Sequence, residues 1–264
     1  MFDSTFMRLA LVASVATGAS LGILGVYLVM RRVVFLGLVL ANVATLGAAV
    51  AEAIGWSPEA VSLAAAVAAA AILGEVGASN RVSAESLMGW AYAAASSATV
   101  LILSRVAGGG SHTMDLLYGN VLAVPASHVV GLTVLAAAVV TAQIIFMPRF
   151  VLVTFDPESA QIAGVKTRRW SLVLNLSIGV AASAAVHEIG ALSTFALLSL
   201  PPTAALLLMG GIRSAFAMSA AIGVTVPAVA LMLSFQFDLP SGPACVALLA
   251  LVGTAAFIAR AGRS

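Results

Sequence analysis

The sequence predicts an all-α fold, a polytopic bundle of membrane-crossing helices. Three observations predict it. Of 264 residues, 62% are hydrophobic and only 8% are charged, whereas soluble proteins carry about 25% charged residues. So few charges cannot cover a water-facing surface. The apolar residues fall in runs close to the roughly 20 that a helix needs to cross a bilayer core. The runs are continuously apolar, without the alternation of a membrane β-barrel strand.

The first run covers residues 7–29 and is closed by Arg31-Arg32. It is too long for a typical signal peptide, so it reads as a retained span. The second covers 35–55, is interrupted by Asn42 and ends with Glu52. A Gly-Trp-Ser-Pro turn leads to the third, 60–76, and a polar turn with Arg81 and Glu85 to the fourth, 87–104. A Gly-rich loop with His112 and Asp115 follows, then the apolar stretch 116–124. That stretch is too short to cross and reads as a re-entrant or interfacial piece. The fifth run is 127–147, followed by the longest polar segment, Pro148 to Trp170. Runs six to nine are 171–186, 189–208, 215–233 and 242–259. The count is about nine spans in one transmembrane domain, 1–264, and eight if the short sixth run does not cross.

Cytoplasmic loops carry an excess of Arg and Lys. With the N-terminus outside and nine spans, ten of the twelve basic residues fall inside, leaving only Arg8 and Arg105 outside. The expected orientation is therefore N-terminus outside, C-terminus cytoplasmic. It puts His187, Glu188, Glu52 and Asp238 on the outer side.

Composition and motifs exclude several functions. A net charge of +2 is too small to imply nucleic acid. Cys245 is the single cysteine, so one chain forms no disulfide or CxxC site. There is no GxxxxGK[ST] phosphate loop, and the lone lysine, Lys166, stands in Gly-Val-Lys-Thr. His187-Glu188 begins like a zinc-protease HExxH, but Ala191 stands where the second histidine is needed. Nothing points to an enzyme.

Several blocks, in order, carry a resemblance. They are Arg31-Arg32 with Phe35-Leu36-Gly37, then Ala84-Glu85-Ser86-Leu87-Met88-Gly89, and Asp115 through Tyr118-Gly119-Asn120 to Leu122. Next come Asp156-Pro157-Glu158-Ser159-Ala160 through Gly164-Val165-Lys166, and Ile189-Gly190-Ala191-Leu192 to Pro201-Pro202-Thr203-Ala204-Ala205. The last is Leu239-Pro240-Ser241-Gly242-Pro243. The chain resembles the metal-type ABC transporter permeases, the membrane subunits of bacterial zinc, manganese and iron importers. The resemblance implies a cell-membrane permease dimer, homo- or heterodimeric, with a cytoplasmic ATPase dimer and an extracytoplasmic substrate-binding protein. ATP and magnesium would belong to the ATPase, and this chain would bind no cofactor of its own. Residues 203–216 resemble the segment that couples to the ATPase, with Thr203, Ala204, Ala205, Gly210, Gly211 and Arg213 its candidate contacts.

One departure bears on the cargo. The family writes GDxLxHA at the second span, where Asp and His four apart share one helical face and suit a divalent ion. This chain has Leu38 and Asn42 at those positions. Leu38 cannot ligate, and Asn42 offers only a neutral amide. Leu38, Asn42 and Glu52 are the candidate path residues, and His187 and Glu188 the candidate metal ligands nearer the outer mouth. Asn42 is alternatively a buried amide bonded across helices. His187 and Glu188 are alternatively a wet interfacial pair, pointing about 100° apart on a regular helix. Three functions stand open: ATP-driven import of a divalent metal, the same machinery with a chelate or organic cargo, and an ATPase-independent transporter or channel.

Overall fold

The structure, a computed structural model, describes residues 5–75, 82–106 and 126–262. Among them every regular element is a helix. They are α1 (Thr5–Met30), α2 (Val34–Ile54), α3 (Pro58–Leu73), α4 (Ala84–Leu103), α5 (Ala126–Phe155), α6 (Pro157–Ile162), α7 (Thr167–Leu208), α8 (Ile212–Phe237) and α9 (Ser241–Ala261). Seven of these are long and apolar enough to cross a membrane. The difference from the nine expected runs has two sources. α3 has only 16 residues, and runs six and seven lie in one helical stretch, the 42-residue α7.

α7 is not one rod. A straight helix of that length would measure about 63 Å, twice a hydrocarbon core of about 30 Å. At its middle, Gly190 has φ 79° and ψ 164°, a backbone region open essentially only to glycine. The neighbours show what the break does. Ser171 bonds to Arg31, just past the end of α1. Ile189 and Ser193 share a small cavity with Ser14. Pro202 packs beside Gly25. The first arm, 167–189, therefore runs toward the start of α1, and the second, 191–208, runs back toward its end. Ser171 and Pro202 would stand about 46 Å apart on a straight helix.

The long polar segment at 148–170 is mostly helical. α5 continues through Pro148 to Phe155. Proline removes one backbone hydrogen bond there, but Phe150 and Val153 beyond it are buried in the bundle. Packing holds the helix where local propensity would end it. Asp156 then caps the short α6, its carboxylate accepting from the Ser159 N–H at 2.9 Å. These hydrogen bonds hold its carboxyl below the usual range.

α1, α2 and α7 form the centre, with 61–67% of their spanning windows buried, against 22% for α4 and α9. Apolar burial does not drive helices together within lipid, so small residues that let backbones approach do the work. Gly18 of α1 faces the Gly223 carbonyl of α8 so closely that neither position has room for a Cβ.

Gly190→Ala is expected to lower thermal stability by about 1–3 kcal/mol. Gly89→Ala, on an exposed helical site with open space around it, is expected to leave the unfolding temperature in detergent unchanged or slightly raised.

Candidate functional site

The sharp reversal at Gly190 puts the end of the first arm at one end of the bundle, and ionisable groups from three helices meet there. Glu59 of α3, His128 of α5 and His187 and Glu188 of α7 line one cavity of ≈ 250 Å³. Leu63, Leu132 and Leu135 form its apolar walls, and Ser183 lies deeper. Glu188 is only 5% exposed. Its Oε2 and the Nε2 of His187 are buried without a hydrogen-bond partner among the described residues. Adjacent residues on a regular helix diverge, yet both side chains reach the same cavity here. Unpaired ionisable groups inside a span are expensive and mark functional positions. Among the described residues no three His, Cys, Asp or Glu side chains are placed to hold one ion. The cavity can attract a hydrated cation; it does not form a closed metal cage.

The expected α2 residues are placed differently. Asn42 is buried, and its Nδ2 donates to the Leu38 carbonyl at 3.0 Å. The bond stays within its own helix, four residues back, instead of crossing to a neighbour. Leu38 is partly exposed beside it. Glu52 is partly buried in the last turn of α2, and the structure does not bring it into the cavity that holds His187 and Glu188.

At the opposite end, α7 remains helical through Leu208, so the expected coupling segment begins as helix. Ala204 and Ala205 are buried, whereas Thr203, Gly210, Gly211 and Arg213 are exposed. The Thr203 hydroxyl donates back to the Ser199 carbonyl at 2.6 Å. Thr203, the two glycines and Arg213 thus form the accessible face, with the alanines packed behind. His112, Asp115 and the Gly119-Asn120 block lie outside the described residues.

The comparisons bear on what this bundle is. The sequence pattern described as the ABC 3 transport family matches residues 3–260. The chain belongs to that family. It is 25% identical over 253 residues to the manganese transport system membrane protein MntC of Listeria innocua, covering 96% of this chain and 90% of that one. It is 23% identical over 259 residues to the chelated iron transport system membrane protein YfeD of Yersinia pestis, covering 97% and 86%. The fold is shared with PsaBC from Streptococcus pneumoniae in complex with Fab, with a TM-score of 0.86 at 19% identity over 97% of this chain and 92% of that one.

Within this ABC 3 bundle, sequence reasoning missed the packing role of Arg31, which it treated as a topology signal and as part of a resembled motif. The guanidinium donates to Thr154 Oγ1 at 3.3 Å, Asn175 Oδ1 at 3.2 Å and Ser171 Oγ at 3.1 Å. One side chain thus ties the end of α1 to α5 and to the first arm of α7. The signal available in the sequence was a set of isolated polar residues, Thr154, Ser171 and Asn175, each with apolar neighbours in the chain. Nothing local said that they share a partner.

Arg31→Gln is expected to destabilise the protein by about 2 kcal/mol, because charged hydrogen bonds are lost. A thermal melt of the purified permease checks it; an unchanged melting temperature contradicts this role.

Proposed function

We propose that this chain is the permease subunit of an ATP-binding-cassette importer for divalent metal ions such as manganese, zinc or iron, in a bacterial cell membrane. The carrying observation is the family match over residues 3–260, and the names of the relatives support the metal cargo. The chain itself does no chemistry. Two permease copies would form the path, a cytoplasmic ATPase dimer would hydrolyse magnesium-bound ATP, and an external binding protein would deliver cargo. Nine crossings with the N-terminus outside fit the two arms of α7 and the ten-to-two distribution of basic residues.

The proposed path runs along α2 and the second arm of α7, past Leu38, Asn42 and Glu52. His187 and Glu188 would attract the cation at the outer mouth. Thr203, Gly210, Gly211 and Arg213 would receive the push of the ATPase, transmitted through the buried Ala204 and Ala205. A second reading keeps the machinery and changes the cargo to a metal chelate or an organic molecule. It is favoured by α2, where Leu38 cannot ligate and the Asn42 amide is engaged by its own helix. Family membership weighs against a channel or an ATPase-independent transporter.

The complete complex in proteoliposomes is expected to take up manganese, zinc or iron only with ATP present. If no divalent metal is transported or stimulates ATP hydrolysis, the metal reading fails; uptake independent of ATP sinks the permease reading. Arg213→Glu is expected to weaken ATPase association about tenfold, as loss of one sizeable interface contact does, measured by co-purification. Leu38→Asp combined with Asn42→His is expected to raise metal affinity in equilibrium dialysis. Unchanged affinity would argue that this face of α2 does not line the path.

A further inference from the structure

A second, wholly different cavity lies at the end of the bundle marked by Arg31, where α5 meets the start of α7. It measures ≈ 480 Å³ and is lined by Arg149, Lys166, Arg169, Trp170 and Val173, with Gly164 and Val165 at the turn. All three cations are exposed side chains, and no acidic side chain lines the cavity. Three positive groups around one hollow repel one another unless an anion joins them.

The cavity is shaped from the sequence upward. Asp156 starts α6, and Gly164 ends the following turn at φ 78°, a left-handed conformation suited to glycine. The turn brings Lys166 round to the side of α5 that carries Arg149. The Arg149 guanidinium lies 5.0 Å from the Trp170 ring centre and 6.0 Å from that of Phe146. This aromatic contact holds the cation in place without neutralising it. Trp170 in turn packs on Phe146 at 5.2 Å and on Phe150 at 5.5 Å.

The surroundings indicate which anion. Tryptophan concentrates at the membrane–water interface, so Trp170 sets the cavity at headgroup depth. Val173, on its wall, is 49% exposed, and Phe155 nearby in the chain is 53% exposed. The positive hollow therefore opens onto apolar surface of the kind that faces acyl chains. Basic pockets between membrane helices at this depth suit anionic lipid headgroups. We propose that Arg149, Lys166 and Arg169 form a binding site for the phosphate of an anionic phospholipid, whose chains lie along Val173. The site would fasten α5 to the first arm of α7 through a lipid, beside the tie that Arg31 makes through protein. It does not depend on the identity of the transported cargo.

The test uses the full-length permease in nanodiscs of phosphatidylcholine with or without phosphatidylglycerol, and native mass spectrometry counts lipids retained after partial delipidation. Wild type is expected to retain phosphatidylglycerol selectively. Lys166→Gln is expected to reduce retention about fivefold, the effect of about 1 kcal/mol per cation near a charged headgroup. The combined R149Q, K166Q and R169Q variant is expected to reduce it further, and Arg168→Gln, outside the cavity, to leave it unchanged. Rising salt on the unmodified protein is expected to release the lipid, a measurement independent of whether any variant folds. Retention that is salt-insensitive or equal across variants overturns the proposal. Displacement of the lipid by millimolar inorganic phosphate, with equal stabilisation by phosphate alone, overturns the lipid source in favour of a free-phosphate site. Unchanged lipid retention with loss of the co-purifying ATPase assigns the patch to the protein partner and overturns it as well.

Discussion

The backbone at Gly190 is the constraint on which the bundle depends. A single residue with positive φ separates two helical arms that would otherwise form a rod far longer than a bilayer is thick. Any side chain at that position is strained. At this turn the Thr194 hydroxyl donates to the Gly190 carbonyl at 2.8 Å. Such a bond matters in lipid, where an unsatisfied N–H or C=O costs several kcal/mol. The same reversal fixes what each arm meets. The first arm lies along α3 and carries His187 and Glu188 to one end, while the second lies along α1 and carries the Pro201-Pro202 segment to the other.

Around that turn, the bundle is held by contacts suited to a medium that gives no hydrophobic drive between helices. α1 is the axis. Gly18 meets α8 backbone to backbone, and the Ser219 hydroxyl of α8 donates to the Gly22 carbonyl at 2.7 Å. Tyr27 packs on Phe216 of α8 at 4.9 Å and on Phe150 of α5 at 6.0 Å. Arg31 then closes the end of α1 with three side-chain hydrogen bonds. Close approach, aromatic packing and one multiply bonded cation follow each other along a single helix. Helices that bury little, α4 and α9, sit outside this axis and leave most of their apolar surface to lipid.

The two ends of the bundle differ in chemistry. One gathers two glutamates and two histidines around an otherwise apolar cavity; the other gathers arginines and a lysine around an aromatic cluster. Between the ends, α2 carries Leu38 and Asn42, neither of them charged. The Asn42 amide turns back on its own helix.

The sequence by itself determined the class, the positions of most helices and the family, because apolar run length, sparse charge and motif order are local properties. It also singled out His187 and Glu188, because two ionisable residues between apolar runs stand out wherever they fold. It ended the fifth run at Met147, whereas burial of Phe150 and Val153 carries the helix on to Phe155 past a local helix breaker. Only the tertiary structure decided that residues 171–186 and 189–208 are two arms joined at one glycine. It also decided that Arg31 answers to Thr154, Ser171 and Asn175, and that Glu59 and His128 join His187 and Glu188. These groups lie far apart in the chain, and no periodicity relates them. What brings them together is the packing of helices whose relative positions are set by backbone contact at Gly18 and Gly223 and by the turn at Gly190.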